Sequence, residues 1–315
     1  GLDADRVPGQ SPSAAGRRGR EVGLRDGRGW SVVEVEHYGS AQRFLNRTRA
    51  ALESNEAANS LMLGLCETLV AHPERYKAAP CLKVVVDGQG LVLAAVMTPP
   101  HNLIVYGHRG AQGAAARALA RWLRRGSWDP PGVFGPGEAP AAVAAAWAEE
   151  AGRRCSLASR QRVYELREVQ VPVPERGRLR PATEGDLDLV TAWHYAFHRE
   201  LFGRTDREQA RKSAGVRVRA GDVFLWEDGE PVSVAMKTRP TRHGISVGLV
   251  YTPPELRGRG YATACVGELS RMLLGAGWAF CTLFADLANP ISNHIYERIG
   301  YRPVCDYEEY RFGEV

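Results

Sequence analysis

The chain has 315 residues, 44% of them hydrophobic and 24% charged, which is length and apolar content enough for two domains with cores of their own and excludes wholesale disorder. A net charge of +5 with a pI near 8.9 suits an anionic ligand such as a nucleotide, but it is too small and dispersed to indicate nucleic acid. Six cysteines lie far apart with no C-x-x-C pair, which excludes a disulfide framework or zinc site, and no apolar run reaches the ~18–20 residues that span a bilayer. No apolar segment follows the N-terminal arginines as it would in a secretory signal, so a reducing cytoplasm is the expected location.

Residues 1–29 are rich in Gly, Arg, Ser and Asp with scarcely an apolar residue, and are expected to form a flexible solvated tail. Trp30–Val35 alternates like a strand, and a long helical stretch follows to about Ala71. Cys81–Val86 and Leu91–Met97 are apolar runs joined by Asp87-Gly88-Gln89-Gly90, a hairpin signal. His101–Tyr106 reads as a short strand, 111–125 and 139–152 as alanine-rich helices, and Gln161–Val171 as a closing strand before the Pro172–Gly177 linker.

The second half repeats this plan. Thr183-Glu184-Gly185-Asp186 caps a helix running to about Phe202, and a polar helix covers about 206–218. Strands at 222–227 and 231–238 flank Asp228-Gly229-Glu230. An offset of 141 sets Asp87-Gly88 on Asp228-Gly229, Ala94 on Ala235 and Pro99 on Pro240. Two tandem copies of one α/β unit are the simplest account, giving a tail (1–29), a first domain (30–171) and a second (178–315).

Chemistry concentrates in the second copy. Ile245–Thr252 reads as a central strand ended by Pro253-Pro254, then comes Arg257-Gly258-Arg259-Gly260, then a helix with apolar positions 262, 265, 266, 269, 272 and 273 on one face. A strand, a glycine-rich turn and a helix start make an anion site from backbone alone, because the first helical amides lack partners and the dipole adds positive charge there. The arginines contribute forked donors, and a pyrophosphate is the natural guest. A Walker A loop would need Lys then Ser or Thr where Tyr261-Ala262 stands, and G-x-G-x-x-G is not met. A basic turn with glycine caps is the alternative.

At this point the sequence resembles the GNAT family (GCN5-related N-acetyltransferases). Arg257-Gly258-Arg259-Gly260-Tyr261-Ala262 fits the Q/R-x-x-G-x-G/A signature, and Asn289, seven residues before Tyr296, then Gly300-Tyr301, resembles the family's second element. The resemblance covers about 130 residues and looks like a tandem bacterial subgroup with a diverged N-terminal half. It implies an α/β (α+β) GNAT fold, twice over, with a mixed, mostly antiparallel central sheet flanked by helices. It implies acetyl-CoA as co-substrate, a small-molecule or peptide amine as acceptor, direct attack on the thioester, and a monomer or homodimer without nucleic acid or membrane. The amides of Arg257 to Ala262 would hold the pyrophosphate. The backbone of Val250, Tyr251 and Thr252 would pair with pantetheine and polarise the thioester carbonyl. Asn289 and Asn293 would reach the cofactor, and Tyr296 would protonate the leaving thiolate.

Each assignment has a structural alternative. Asn289-Pro290 and Gly300 are explained by helix capping alone, Tyr296 by a core position, and Arg257 by a surface charge. For the base, Asp286 at the end of the preceding strand is the first candidate, and Glu200, His198, His194 and His243 are others. Cys265 and Cys281 lie in apolar runs unsuited to an acyl carrier. In the first half, Gly107-His108-Arg109-Gly110-Ala111-Gln112-Gly113 has an Arg-to-Gly spacing one residue too long, and Gly132–Arg154 has no Asn-x6-Tyr pair, so a degenerate copy is expected. A CoA-binding or ligand-sensing module without catalysis is the rival to transfer.

Overall fold

In both halves the elements run β-α-α-β-β-β-α-β-α-β. The first half holds β1 (Glu34–His37), α1 (Ala41–Glu53), α2 (Ser60–Ala71), β2 (Cys81–Asp87), β3 (Gly90–Met97), β4 (Leu103–Gly107), α3 (Gln112–Arg125), β5 (Gly132–Pro136), α4 (Ala139–Ala151) and β6 (Arg154–Leu166). The second holds β7 (Arg178–Pro181), α5 (Leu187–Phe202), α6 (Arg207–Arg219), β8 (Val223–Asp228), β9 (Glu230–Thr238), β10 (Gly244–Tyr251), α7 (Tyr261–Gly275), β11 (Phe280–Asp286), α8 (Pro290–Ile299) and β12 (Arg302–Gly313). This computed structural model describes residues 33–313 apart from 77, 110, 111, 204 and 205, together with three strand pieces at Arg18–Arg20, Arg25–Asp26 and Gly29–Trp30. The rest of the expected tail lies outside the described residues, and Arg18–Arg20 pairs antiparallel with β1.

Two sequence expectations are corrected, and one strand was missed. The helical stretch to Ala71 breaks into α1 and α2, because Asn59 turns its side-chain amide onto the Leu52 and Asn55 carbonyls and competes with the helix ladder. The closing strand expected at Gln161–Val171 lies at Arg154–Leu166; the chain then leaves the sheet, and the Gln170 amide bonds the Ile299 carbonyl at the end of α8. The strand β5 (Gly-Val-Phe-Gly-Pro) was masked by its two glycines and proline, which weaken any strand pattern. Gly135 is there for close approach, since a Cβ would stand 2.1 Å from the Val105 carbonyl oxygen.

All these strands and Arg18–Arg20 form one sheet, ordered Arg18–Arg20, β1, β2, β3, β4, β5, β12, β6, β11, β10, β9, β8, β7. It is antiparallel except at β4–β5 and β10–β11. The two halves exchange their last strands. β12 pairs with β5 of the first half, β6 pairs with β11 of the second, and β6 and β12 pair with each other from Gly313↔Arg154 to Arg302↔Glu165. The division at 171/178 therefore separates the chain but not the sheet. In the second half α7 and α8 cover one face over Ile245, Val247, Leu283 and Ala285, while α5 and α6 cover the other over Leu225, Val234 and Tyr251. Apolar burial on both faces is the main term holding each layer to the sheet.

Candidate functional site

β10 and β11 pair in parallel only from Gly244↔Phe280 to Ser246↔Thr282, and beyond that no ladder joins them. The cause is a bulge on β10. Met236 of β9 pairs with Gly248 but Val234 pairs with Tyr251, which leaves one extra residue on β10, and Leu249 takes a φ of 49°. Pro253 and Pro254 then end the strand. The result is a wedge whose one wall is Gly248–Thr252, with Tyr251 and Thr252 buried and Ser233 Oγ bonding the Tyr251 carbonyl at 3.1 Å and Thr252 Oγ1 at 2.9 Å.

The Arg257–Gly260 turn closes the open end of this wall and delivers the chain into α7. Gly258 and Gly260 have φ of 78° and 82°, values that strain any residue with a Cβ, and nothing lies within 4 Å of the Cβ position at either. Among the described residues the amides of Gly258 through Thr263 donate to no protein acceptor; the first α7 bond is Ala264 N–H to the Gly260 carbonyl, 3.0 Å. Six consecutive free amides at a helix start are a concave anion site. Arg257 is held beside it, Nε on the Thr252 carbonyl (2.9 Å) and Nη2 on Glu200 (2.9 Å), while Arg259 reaches the Glu255 carbonyl (3.4 Å). Tyr261 donates to Asp228 at 3.2 Å, fixing the helix start on the β8–β9 turn.

Opposite stands α8. Asn289 caps it, Oδ1 accepting from Ser292 N–H at 3.1 Å, with Pro290 behind and Gly300 at φ 118° closing its C-terminus. Asn293 donates to the Asp286 and Asn289 carbonyls (2.8 and 2.7 Å) and accepts from the Tyr164 hydroxyl (2.8 Å). Its side chain thus ties α8 to the end of β11 and to β6. Asp286 Oδ1 accepts from the Ala288 amide at 2.8 Å, a turn-forming bond. Tyr296 packs in the α7–α8 core with its ring 7% exposed, against Tyr164 and Tyr301, yet its hydroxyl has no hydrogen-bond partner among the described residues. Burial pushes its pKa well above the ordinary tyrosine value, so it is a neutral phenol with a proton to give.

The other base candidates have separate fates. Glu200 is engaged with Arg257. His243 pairs with Glu56 of the first half at 2.7 Å, a clamp away from the wedge. His194 and His198 stack at 4.4 Å on α5, and burial lowers the His194 pKa to about 4. Cys265 and Cys281 are buried, with thiols pushed up to about 12 by burial, which removes them as acyl carriers. Tyr164 was invisible to motif reasoning because it belongs to the first half and reaches α8 only through the strand exchange. A groove of about 510 Å³ adjoins the site, between the linker (Val171, Glu175, Arg176) and the flank of α7 (Arg259, Tyr261, Gly267). Gly260 and Thr263, which carry two of the free amides, also line it.

The first half differs at each matching place. Arg109 is spent on the hairpin, donating to Asp87 (2.6 Å), Gln89 (3.0 Å) and the Leu91 carbonyl (3.0 Å). Asp87 is the counterpart of Asp228, so in both halves the turn aspartate grips the following loop. β4 and β5 pair in parallel only at Leu103↔Val133 and Ile104↔Phe134, and Gly135 packs close against the Val105 carbonyl.

Residues 231–312, about a quarter of the chain and including the turn and α8, match the FR47-like protein family model. Among solved structures, a tandem GNAT protein from the clavulanic acid biosynthesis pathway shares 16% identity, covers 90% of this chain and 98% of its own, and superposes with a TM-score of 0.57. The chain shares its fold with GNAT structures. A GCN5-related N-acetyltransferase from Sphaerobacter thermophilus superposes at 0.56 with 20% identity, covering 83% and 91%. A GNAT-family acetyltransferase from Colwellia psychrerythraea superposes at 0.55 with 12%, covering 89% and 99%. No curated protein matches the sequence. These structures thus share a mostly antiparallel sheet flanked by helices with both halves of the chain, and among the described residues no helix is long and apolar enough to cross a membrane and no cluster of three metal-ligating side chains occurs.

Proposed function

We propose that the second half binds acetyl-CoA and transfers its acetyl group to a primary amine by direct attack. The observation that carries this reading is the run of six free amides, Gly258 to Thr263, at the start of α7, beside the point where β10 and β11 stop pairing. The thioester supplies an activated acyl group; everything else falls to the chain. The amides, with the α7 dipole, hold the pyrophosphate. The parted edge of β10 at Val250–Thr252 pairs with the pantetheine arm and donates to the carbonyl oxygen as charge grows on it. The amine nitrogen bonds to the carbonyl carbon, the carbon–sulfur bond breaks with its electron pair left on sulfur, and Tyr296 gives that sulfur its proton. The attacking amine gives up one proton, which in this reading passes through water to Asp286; its Oδ1 also accepts from the Ala288 amide. Asn289 and Asn293 are structural in the described contacts, and their part in this reading is to hold α8, the helix that carries Tyr296.

The test is an amine panel, including protein N-termini and lysines, read by release of the free CoA thiol. Turnover with one class of amine supports transfer. Acetyl-CoA binding without turnover on any amine would leave a ligand-sensing module instead.

A further inference from the structure

Arg239 lies on the turn between β9 and β10, on the sheet face opposite α7 and α8. Its backbone is left-handed (φ 47°), and its Cβ presses on α2 of the first half so closely that a Cβ at Gly64 would come within 2.6 Å of it. The turn is fastened to the first half by Glu53–Arg242 (3.6 Å) and by Glu56, which accepts from Thr241 and the His243 amide. The guanidinium is not fastened to anything. Nε is sealed from solvent without a hydrogen bond, no carboxylate of the described residues meets the group, and Arg217 of α6 adds a second positive charge nearby. Burial and Arg217 together press the pKa of Arg239 down to about 10, as expected of a cation lacking its counter-ion.

What the guanidinium does face is aromatic. It stands 5.8 Å from the Phe284 ring, which packs on Tyr307 (5.0 Å) and on Phe134 (6.2 Å), so β11, β12 and β5 together line this floor. Phe284 is two residues past Thr282, hence level with Gly248, whose Cβ position meets only Thr238 Cγ2, at 3.7 Å. The bulged residues 249–251 stand roughly 3–10 Å further along β10 at the usual strand rise. On the same side, His194 Nδ1 and Thr191 Oγ1 of α5 are also sealed without partners, and His194 feels the same Arg217 charge. An unpaired buried charge is costly and its removal is normally favoured, so its presence here wants a ligand.

We propose that the acceptor is an amine carrying a carboxylate on an apolar or aromatic body, and that Arg239 receives this carboxylate where the two halves meet. This rests on the acetyl-transfer reading. The amine would lie at the bulge and the carboxylate a few atoms away at Arg239, so the first half helps to form the substrate site rather than a second cofactor site.

The test separates the two readings by using ligands with no amine. Thermal shift is measured with 3-phenylpropionate, its amide and phenyl phosphate, on the protein with acetyl-CoA bound. The expected result is stabilisation by the carboxylate and not the amide, lost in Arg239→Gln and partly kept in Arg239→Lys. Without added ligand, Arg239→Gln is expected to melt no lower than the unaltered chain, since an unpaired charge is removed; a structural arginine would give a lower Tm. In turnover, amino acids should exceed their amides at least tenfold in kcat/KM, and Arg239→Gln should erase that preference without altering acetyl-CoA binding. Equal response to carboxylate and amide in the unaltered chain overturns the proposal even if Arg239→Gln fails to fold. Tighter binding of phenyl phosphate overturns the carboxylate assignment in favour of a phosphate-bearing acceptor.

Discussion

Replacing Tyr296 with Phe removes one oxygen and little else. The ring stays in the core against Tyr164 and Tyr301, and the hydroxyl has no hydrogen bond among the described residues to lose. Stability should therefore change by less than about 1 kcal/mol, the net worth of a single hydrogen bond. Acetyl-CoA affinity should stay within about threefold, or ~0.7 kcal/mol. Turnover should fall by ~10²–10⁴, the usual contribution of general-acid catalysis, or roughly 3–5 kcal/mol in the barrier. Because burial raises the Tyr296 pKa, the alkaline limb of kcat in the unaltered protein should lie above the ordinary tyrosine value near 10. The assay is steady-state release of CoA thiol alongside equilibrium binding of acetyl-CoA. If Tyr296→Phe turns over at the unaltered rate while binding acetyl-CoA normally, the leaving thiolate takes its proton elsewhere and the acid assignment is wrong.

Other outcomes follow from the same geometry. Because β6 and β12 are exchanged, residues 30–171 and 178–315 made separately should each expose an unpaired sheet edge and aggregate or remain partly folded, whereas their coexpression should recover a complex; two independently cooperative monomers would contradict the exchange. Glu56 is partly desolvated, which alone would raise its pKa, but bonds from Thr241 and His243 outweigh this and hold it below 4.5. A lowered folded-state pKa means the contribution is complete above the unfolded value and lost as pH falls through the folded one. Glu56→Gln should lower Tm at pH 7 by about 1.5 °C, for roughly 1 kcal/mol, with the gap closing below pH ~4. A gap that widens in acid would reverse the sign assigned to Glu56.

Local chemistry was legible in the sequence, and long-range assembly was not. The hairpins at Asp87 and Asp228, the α7 start at Gly260 and the Asn289-Pro290 cap follow from residues within one turn of each other, and the structure places these elements there. The β10 bulge announces itself only through a register shift against β9, which no run of apolar residues encodes. Tyr164 and Arg239 escaped for a related reason. Tyr164 reaches α8 across 129 positions of sequence, and Arg239 meets Gly64, so both depend on how the two halves lock together. Such contacts join the two halves, and their residues carry no motif.

The most direct measurement is the stoichiometry of acetyl-CoA binding by calorimetry, on the full chain and on Gly260→Val. One equivalent per chain is expected, since the signature turn, with its run of free amides beside the parted end of β10, lies in the second half. Gly260→Val should weaken binding at least tenfold, because valine resists a φ of 82° at a cost of ~1–2 kcal/mol and its side chain crowds the anion. Two equivalents, none, or affinity indifferent to Gly260→Val would contradict a single cofactor site at this turn.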